Sequence, residues 1–120
     1  MGVRGIRGAI QIDADDRDLI LQGTSELVAE VLQRNDVDTN DLISIVFTAT
    51  PDLTAEFPAY AARLMGFHDV PLLCTTEIAV PGSMPRVLRL LAHVESDRPR
   101  SEIHHVYLRG AAALRRDLPQ

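Results

Sequence analysis

Arg7, Arg89 and Tyr107 are the side chains whose type and spacing best suit contact with a ligand. Each falls in a stretch where apolar residues recur with period two, the pattern of a strand with one buried face. Over residues 3–12, Ile6, Ile10 and Ile12 share one side, while Arg7, Ala9 and Gln11 share the other. Over 86–94, Leu88, Leu90, Ala92 and Val94 oppose Val87, Arg89, Leu91 and His93. Over 104–109, Val106 and Leu108 oppose His105, Tyr107 and Arg109. Two guanidinium groups and a phenol on rigid strands, turned away from the core, suit a small dianion, because the Arg fork of donors matches a carboxylate. Gly5 and Gly8 flank Arg7, and strand glycines permit close approach of another group. Taken singly, each Arg reads more readily as a solvated edge charge. It is the convergence of three groups that points to a site.

Glu77 follows Thr75 and Thr76 at a strand end or in a loop, where it is either simply exposed or an acceptor for a ligand hydroxyl. Cys74 reads as a small buried hydrophobe, since no base is placed to make its thiol a nucleophile. His104 and His105 are adjacent, so on a strand they point to opposite faces and cannot chelate one metal. His68 and His93 lack ligand spacing as well. RGIRG at residues 4–8 has the glycine spacing of neither a P-loop nor a dinucleotide fingerprint, and there is no nucleophile elbow. The expectation is therefore a site that works without metal or cofactor.

The elements that must carry these residues follow from the remaining pattern. Asp15 or Asp16 caps a helix whose stripe of Ile20, Thr24, Leu27, Val28, Val31 and Leu32 runs to about Asn35. Residues 43–49, ISIVFTA, form a continuous apolar run, read as a strand buried on both faces. A second helix near 57–65 ends at Gly66, and a brief strand over 70–74 follows. Pro81-Gly82 marks a turn, and 111–120 forms a short helical turn or arm. The order β-α-β-α-β-β-β predicts an α/β sheet with both helices on one face. The other face then still carries Val87, Leu91 and part of the 43–49 run, which a second copy of the chain would cover; a one-residue slip in register would instead turn them inward.

Composition bounds this reading. The 120 residues form one domain, 1–120, with a net charge of -5, which argues against a nucleic-acid surface. All twelve cationic side chains are Arg. Cys74 is the single cysteine, so a disulfide-stapled fold is excluded. Arg4 and Arg7 interrupt the N-terminal segment, which reads neither as a signal peptide nor as a membrane span, so a cytoplasmic protein with no membrane partner is expected. From the residues alone, the conclusion is a small anion site on an oligomer.

Several segments together resemble the AroH-type chorismate mutases: RGIRGA at 4–9, TATPDLTAEFPA at 48–59, VPLLCTTE at 70–77, VPGSMPRVLRLL at 80–91, HHVYLRGA at 104–111 and LRRDL at 114–118. The resemblance covers most of the chain. It implies a mixed five-stranded α/β sheet assembling into a trimeric pseudo-α/β-barrel, with active sites between subunits that convert chorismate to prephenate in aromatic amino-acid biosynthesis. It implies that Arg7 and Tyr107 hold the enolpyruvyl carboxylate, that Arg89 reaches that side chain and the breaking ether bond, and that Glu77, with Cys74 beside it, meets the ring hydroxyl. Phe57, Ala59, Arg63 and Leu72 resemble the wall supplied by the adjoining subunit, and Leu114 and Arg115 resemble a closing C-terminal arm. Tyr60 stands where family members carry a Lys near the ring carboxylate, which leaves Arg63 as the cation for that group. The rival readings are an imine deaminase of the YjgF/Rid type, whose motifs are absent, and a trimeric small-anion-binding protein without turnover.

Overall fold

The computed structural model describes residues 2–115 and every side chain among them except that of Arg115. Five strands, β1 (Gly2–Gln11), β2 (Leu42–Ala49), β3 (Leu72–Thr76), β4 (Val87–Ser96) and β5 (Val106–Leu108), form one sheet in the order β3-β2-β4-β1-β5. Helices α1 (Arg17–Arg34) and α2 (Pro58–Leu64) complete the main architecture. β4 pairs antiparallel with both β1 and β2, while β5 runs parallel to β1 and β3 parallel to β2. The sheet is therefore mixed, as expected.

Asp16 caps α1 by accepting the Leu19 N–H at 3.0 Å. Ile20, Gly23, Thr24, Leu27, Val28 and Val31 form the buried face of this helix. The core joins it to Ile6, Ile10, Ile45, Phe47, Leu88, Leu90, Ala92 and Val94 from the sheet, and to Ala59 and Ala62 from α2. Burying a side chain of Leu, Ile, Val or Phe size stabilises by roughly 1.5–3 kcal/mol each, so this layer dominates the fold. α2 starts on Pro58, which suits a first helical turn, and ends before Gly66, whose φ of +94° is costly for other residues.

Three expectations change. The run 43–49 is not buried on both sides: Ile45 and Phe47 are core residues, but Val46 is only half-buried and Ile43 is exposed beside an irregularity between Leu42 and Ser44. Gly8 makes no opening for a ligand. A Cβ there would lie 3.1 Å from Leu27 and 3.2 Å from Val31, so its role is the packing of α1 against β1. Val87 is covered within the subunit. A 3₁₀ segment, Arg109–Arg115, folds back so that Ala111 and Leu114 join Ala9, Val87 and Tyr107 in a small second cluster. The apolar surface still open on that face includes Leu91 and Leu73, with Val46 between them: Leu73 pairs Val46, which pairs Leu91, whose partner on β1 is Arg7.

Candidate active site

The pleat sorts the candidate residues onto two sides of the sheet. Ala9 and Tyr107 pair across β1 and β5, Arg89 pairs Ala9, Thr48 pairs Arg89, and Thr75 pairs Thr48, so these five form one row away from the helices. Arg7, two residues from Ala9, lies on the same face and diagonal to Arg89, a spacing that long side chains bridge. The Arg7 N–H donates to Nδ1 of His105 at 3.0 Å, while His104 is clamped through its backbone by Asn35, at 2.7 and 2.8 Å. The two histidines thus have separate partners.

Glu77 enters this face because β3 continues one hydrogen bond past Thr76, the Glu77 N–H donating to Ala49 O at 2.9 Å. Its side chain is then in phase with Leu73 and Thr75. The carboxylate accepts from the Thr48 hydroxyl and lies 3.2 Å from Arg89 Nε. That Arg–Glu contact is an ion pair without the alignment of a hydrogen bond. Arg89 Nε is accordingly, among the described residues, the one buried side-chain donor without a hydrogen-bond partner. A buried donor in this condition is costly unless something accepts from it, and such sites call for a functional explanation. Tyr107, 5% exposed, has its ring held by Ala9, Val87 and Ala111.

Cys74 belongs to the other side. It alternates with Leu73 and Thr75, packs with Leu72 against the main core, and its Sγ accepts the Ala59 N–H at 3.3 Å. Burial pushes the thiol pKa up, against the lowering effects of the Ala59 N–H and the Arg63 charge. Its thiol faces α2, whereas the Glu77 carboxylate faces Thr48 and Arg89. With Cys74, the residues Phe57, Ala59, Arg63 and Leu72 line a cleft of about 640 Å³ at the β3 edge. The same cleft contains Arg17, Glu56 and Tyr60, a group that spacing alone does not bring together. Leu114 packs against the second cluster. The Arg115 side chain and residues 116–120 lie outside the described residues.

One side of the sheet thus offers cations and a carboxylate, and the α2 edge offers an apolar wall with further cations. Such a set can hold and polarise a dianion. Among the described residues no helix is long and apolar enough to cross a membrane.

Comparison with known proteins agrees with this reading. The family model for chorismate mutase type I matches residues 3–118. The chorismate mutase AroH of Thermus thermophilus is 50% identical over 117 residues, covering 97% of this chain and 96% of the relative. That of Bacillus subtilis is 40% identical over 119 residues, covering 98% and 94%. A solved chorismate mutase from Clostridium thermocellum superposes with a TM-score of 0.90 at 43% identity, covering 92% of this chain and 98% of the other.

Proposed function

The chain belongs to the type I chorismate mutase family and is a chorismate mutase, and from that premise we propose that its active site is completed only when three copies assemble. The observation that carries this is the division of the candidate residues. Arg7, Glu77, Arg89 and Tyr107 belong to the face turned away from the helices, and Phe57, Ala59, Arg63 and Leu72 to the α2 edge. A neighbour's α2 edge set against the open face would bring the two halves around one substrate. It would also cover Leu73 and Leu91, which are 61% and 39% exposed.

The reaction is an intramolecular [3,3] shift in which an ether C–O bond breaks as a C–C bond forms. No proton need move, so neither a general base nor a nucleophile is required. The protein has two tasks. It must hold the enolpyruvyl arm over the ring, which removes motion before reaction. It must also meet the negative charge growing on the ether oxygen with a fixed donor where water is excluded.

In the proposed assignment Arg89 does the second task. Its Nε is buried, ion-paired with Glu77 but free of hydrogen bonds, and carried by a strand, so little reorganisation accompanies the reaction. Arg7 and Tyr107 hold the carboxylate of the arm. Glu77, oriented by Thr48 and set beside Arg89, takes the ring hydroxyl and complements positive charge growing on the ring. One aimed donor contributes about 3–4 kcal/mol. Even modest enzymatic acceleration requires about 8 kcal/mol, so conformational restriction must supply much of the remainder.

Two measurements test the proposal: sedimentation across dilution, and chorismate turnover with prephenate identified by NMR. A trimer whose activity falls as it dissociates is expected. A stable monomer with full activity would refute the shared site.

A further inference from the structure

Chorismate carries two carboxylates, and the open face of the sheet accounts for one. The cleft beside α2 contains two guanidinium groups, Arg63 and Arg17, against one carboxylate, Glu56. Arg17 is the first residue of α1, where a cation opposes the helix dipole, so helix stability does not explain it. Its setting is nonetheless defined. Nε lies 3.1 Å from Glu56 Oε1, and the other Glu56 oxygen accepts the Phe57 N–H at 2.9 Å at the start of α2. The guanidinium carbon stands 5.7 Å from the centroid of the Tyr60 ring. Two restraints thus hold the head group across the gap between α1 and α2.

The outer nitrogens, Nη1 and Nη2, carry no strong contact. Among the described residues neither makes a hydrogen bond, and Nη1 approaches Asp18 only to 3.6 Å in an exposed pair of the kind that contributes little. Arg63 makes no side-chain hydrogen bond among the described residues either. A guanidinium oriented through Nε with both outer nitrogens open is a receptor for a carboxylate.

We propose that Arg17 is a substrate-binding residue that, with Arg63, holds the ring carboxylate, and that the Tyr60 ring is the platform on which its guanidinium rests. Arg63 is then not the sole cation for that group. The charge is delivered from α1 across the ring of residue 60 rather than by residue 60 itself. Glu56 orients Arg17 without cancelling the site, since two cations face one anion. Arg17 lines the α2 cleft, to which Arg89 does not contribute, and would hold a carboxylate that takes no part in the bond changes, so its contribution is equal in the ground state and the transition state, and its loss raises KM while sparing kcat.

This inference rests on the shared-cleft reading, and its test separates the two. Arg17→Gln keeps the stem and a neutral donor, and Tyr60→Leu removes the platform without changing charge. Each is assayed for kcat and KM, and for inhibition by a bicyclic dicarboxylate analogue of the transition state and by its counterpart lacking the ring carboxylate. Losing a charge-assisted hydrogen bond, Arg17→Gln should raise KM and weaken the dicarboxylate about tenfold, with kcat and the monocarboxylate within about twofold. Tyr60→Leu should shift KM in the same direction by less. Equal weakening of both inhibitors, no change in KM, or a kcat loss as large as the loss in kcat/KM would overturn the role of Arg17. Arg89→Ala in parallel tells the failures apart: near-normal kcat there removes the cleft reading, whereas collapse of kcat beside an unaffected Arg17→Gln removes this inference alone.

Discussion

Replacing Arg89 by Ala removes the buried Nε donor and leaves Glu77 with Thr48 as its remaining polar partner. The effect on folding should be small. The Arg89 side chain is 41% exposed and its pair with Glu77 is partly screened, so a shift of a few degrees in melting temperature at most is expected. The effect on catalysis should be large. Loss of one aimed donor costs on the order of 10²–10³ in kcat. Because the donor acts as charge develops, kcat and kcat/KM should fall together. Arg89→Lys should also be severe: an ammonium at the end of a flexible stem cannot place a donor where Nε sits and reach a carboxylate with the same group. Loss of chorismate absorbance supplies both constants, with circular dichroism as the folding control. A folded Arg89→Ala enzyme with near-normal kcat would refute the reasoning, because this buried donor, free of hydrogen bonds, would then have no part in the chemistry.

Two further predictions concern the supporting structure. The Asp15 carboxylate accepts from the Thr54 N–H and hydroxyl and the Ala55 N–H, which hold its pKa below the usual value. A depressed folded pKa gives stability that is present above the unfolded value and lost as pH falls through the folded one. Asp15→Asn should therefore lower the melting temperature near neutral pH and converge with the parent in strong acid; a pH-independent difference would contradict the clasp. Cys74, its pKa raised by burial, should be alkylated by iodoacetamide more slowly than a free thiol, with a rate still climbing above the ordinary thiol range. Cys74→Ser should keep most of kcat, and a hundredfold loss would place the thiol in the chemistry.

The alternation in 3–12 and 86–94 was enough to separate Ile6, Ile10, Leu88 and Leu90 from Arg7 and Arg89, because a period of two has one solution once a face is buried. The order of the strands was not legible, since the parallel pairing of β1 with β5 joins segments far apart in the chain. A strand ending at residue 74 leaves the position of Glu77 open. Its actual extent, Leu72–Thr76 with one further bond, puts Glu77 in phase with Thr75 and turns Cys74 to the other side. Val87 read as interface because its covering segment, Arg109–Arg115, has no periodicity to betray where it folds. Arg17 was invisible as a site residue for a similar reason: its contact with Tyr60 depends on how α1 packs beside α2.

The division of the site between subunits can be tested by complementation. Arg89→Ala damages the open face, and Arg63→Glu, at an exposed position, sets a repelling charge on the α2 wall. Each parent should be nearly inactive at low substrate. Co-expressed with different tags and isolated as mixed trimers, they should regain about a third of wild-type activity, since one of the three clefts in every mixed trimer would pair an intact face with an intact wall. Mixed trimers no more active than the two mutants alone would contradict a site built from two subunits.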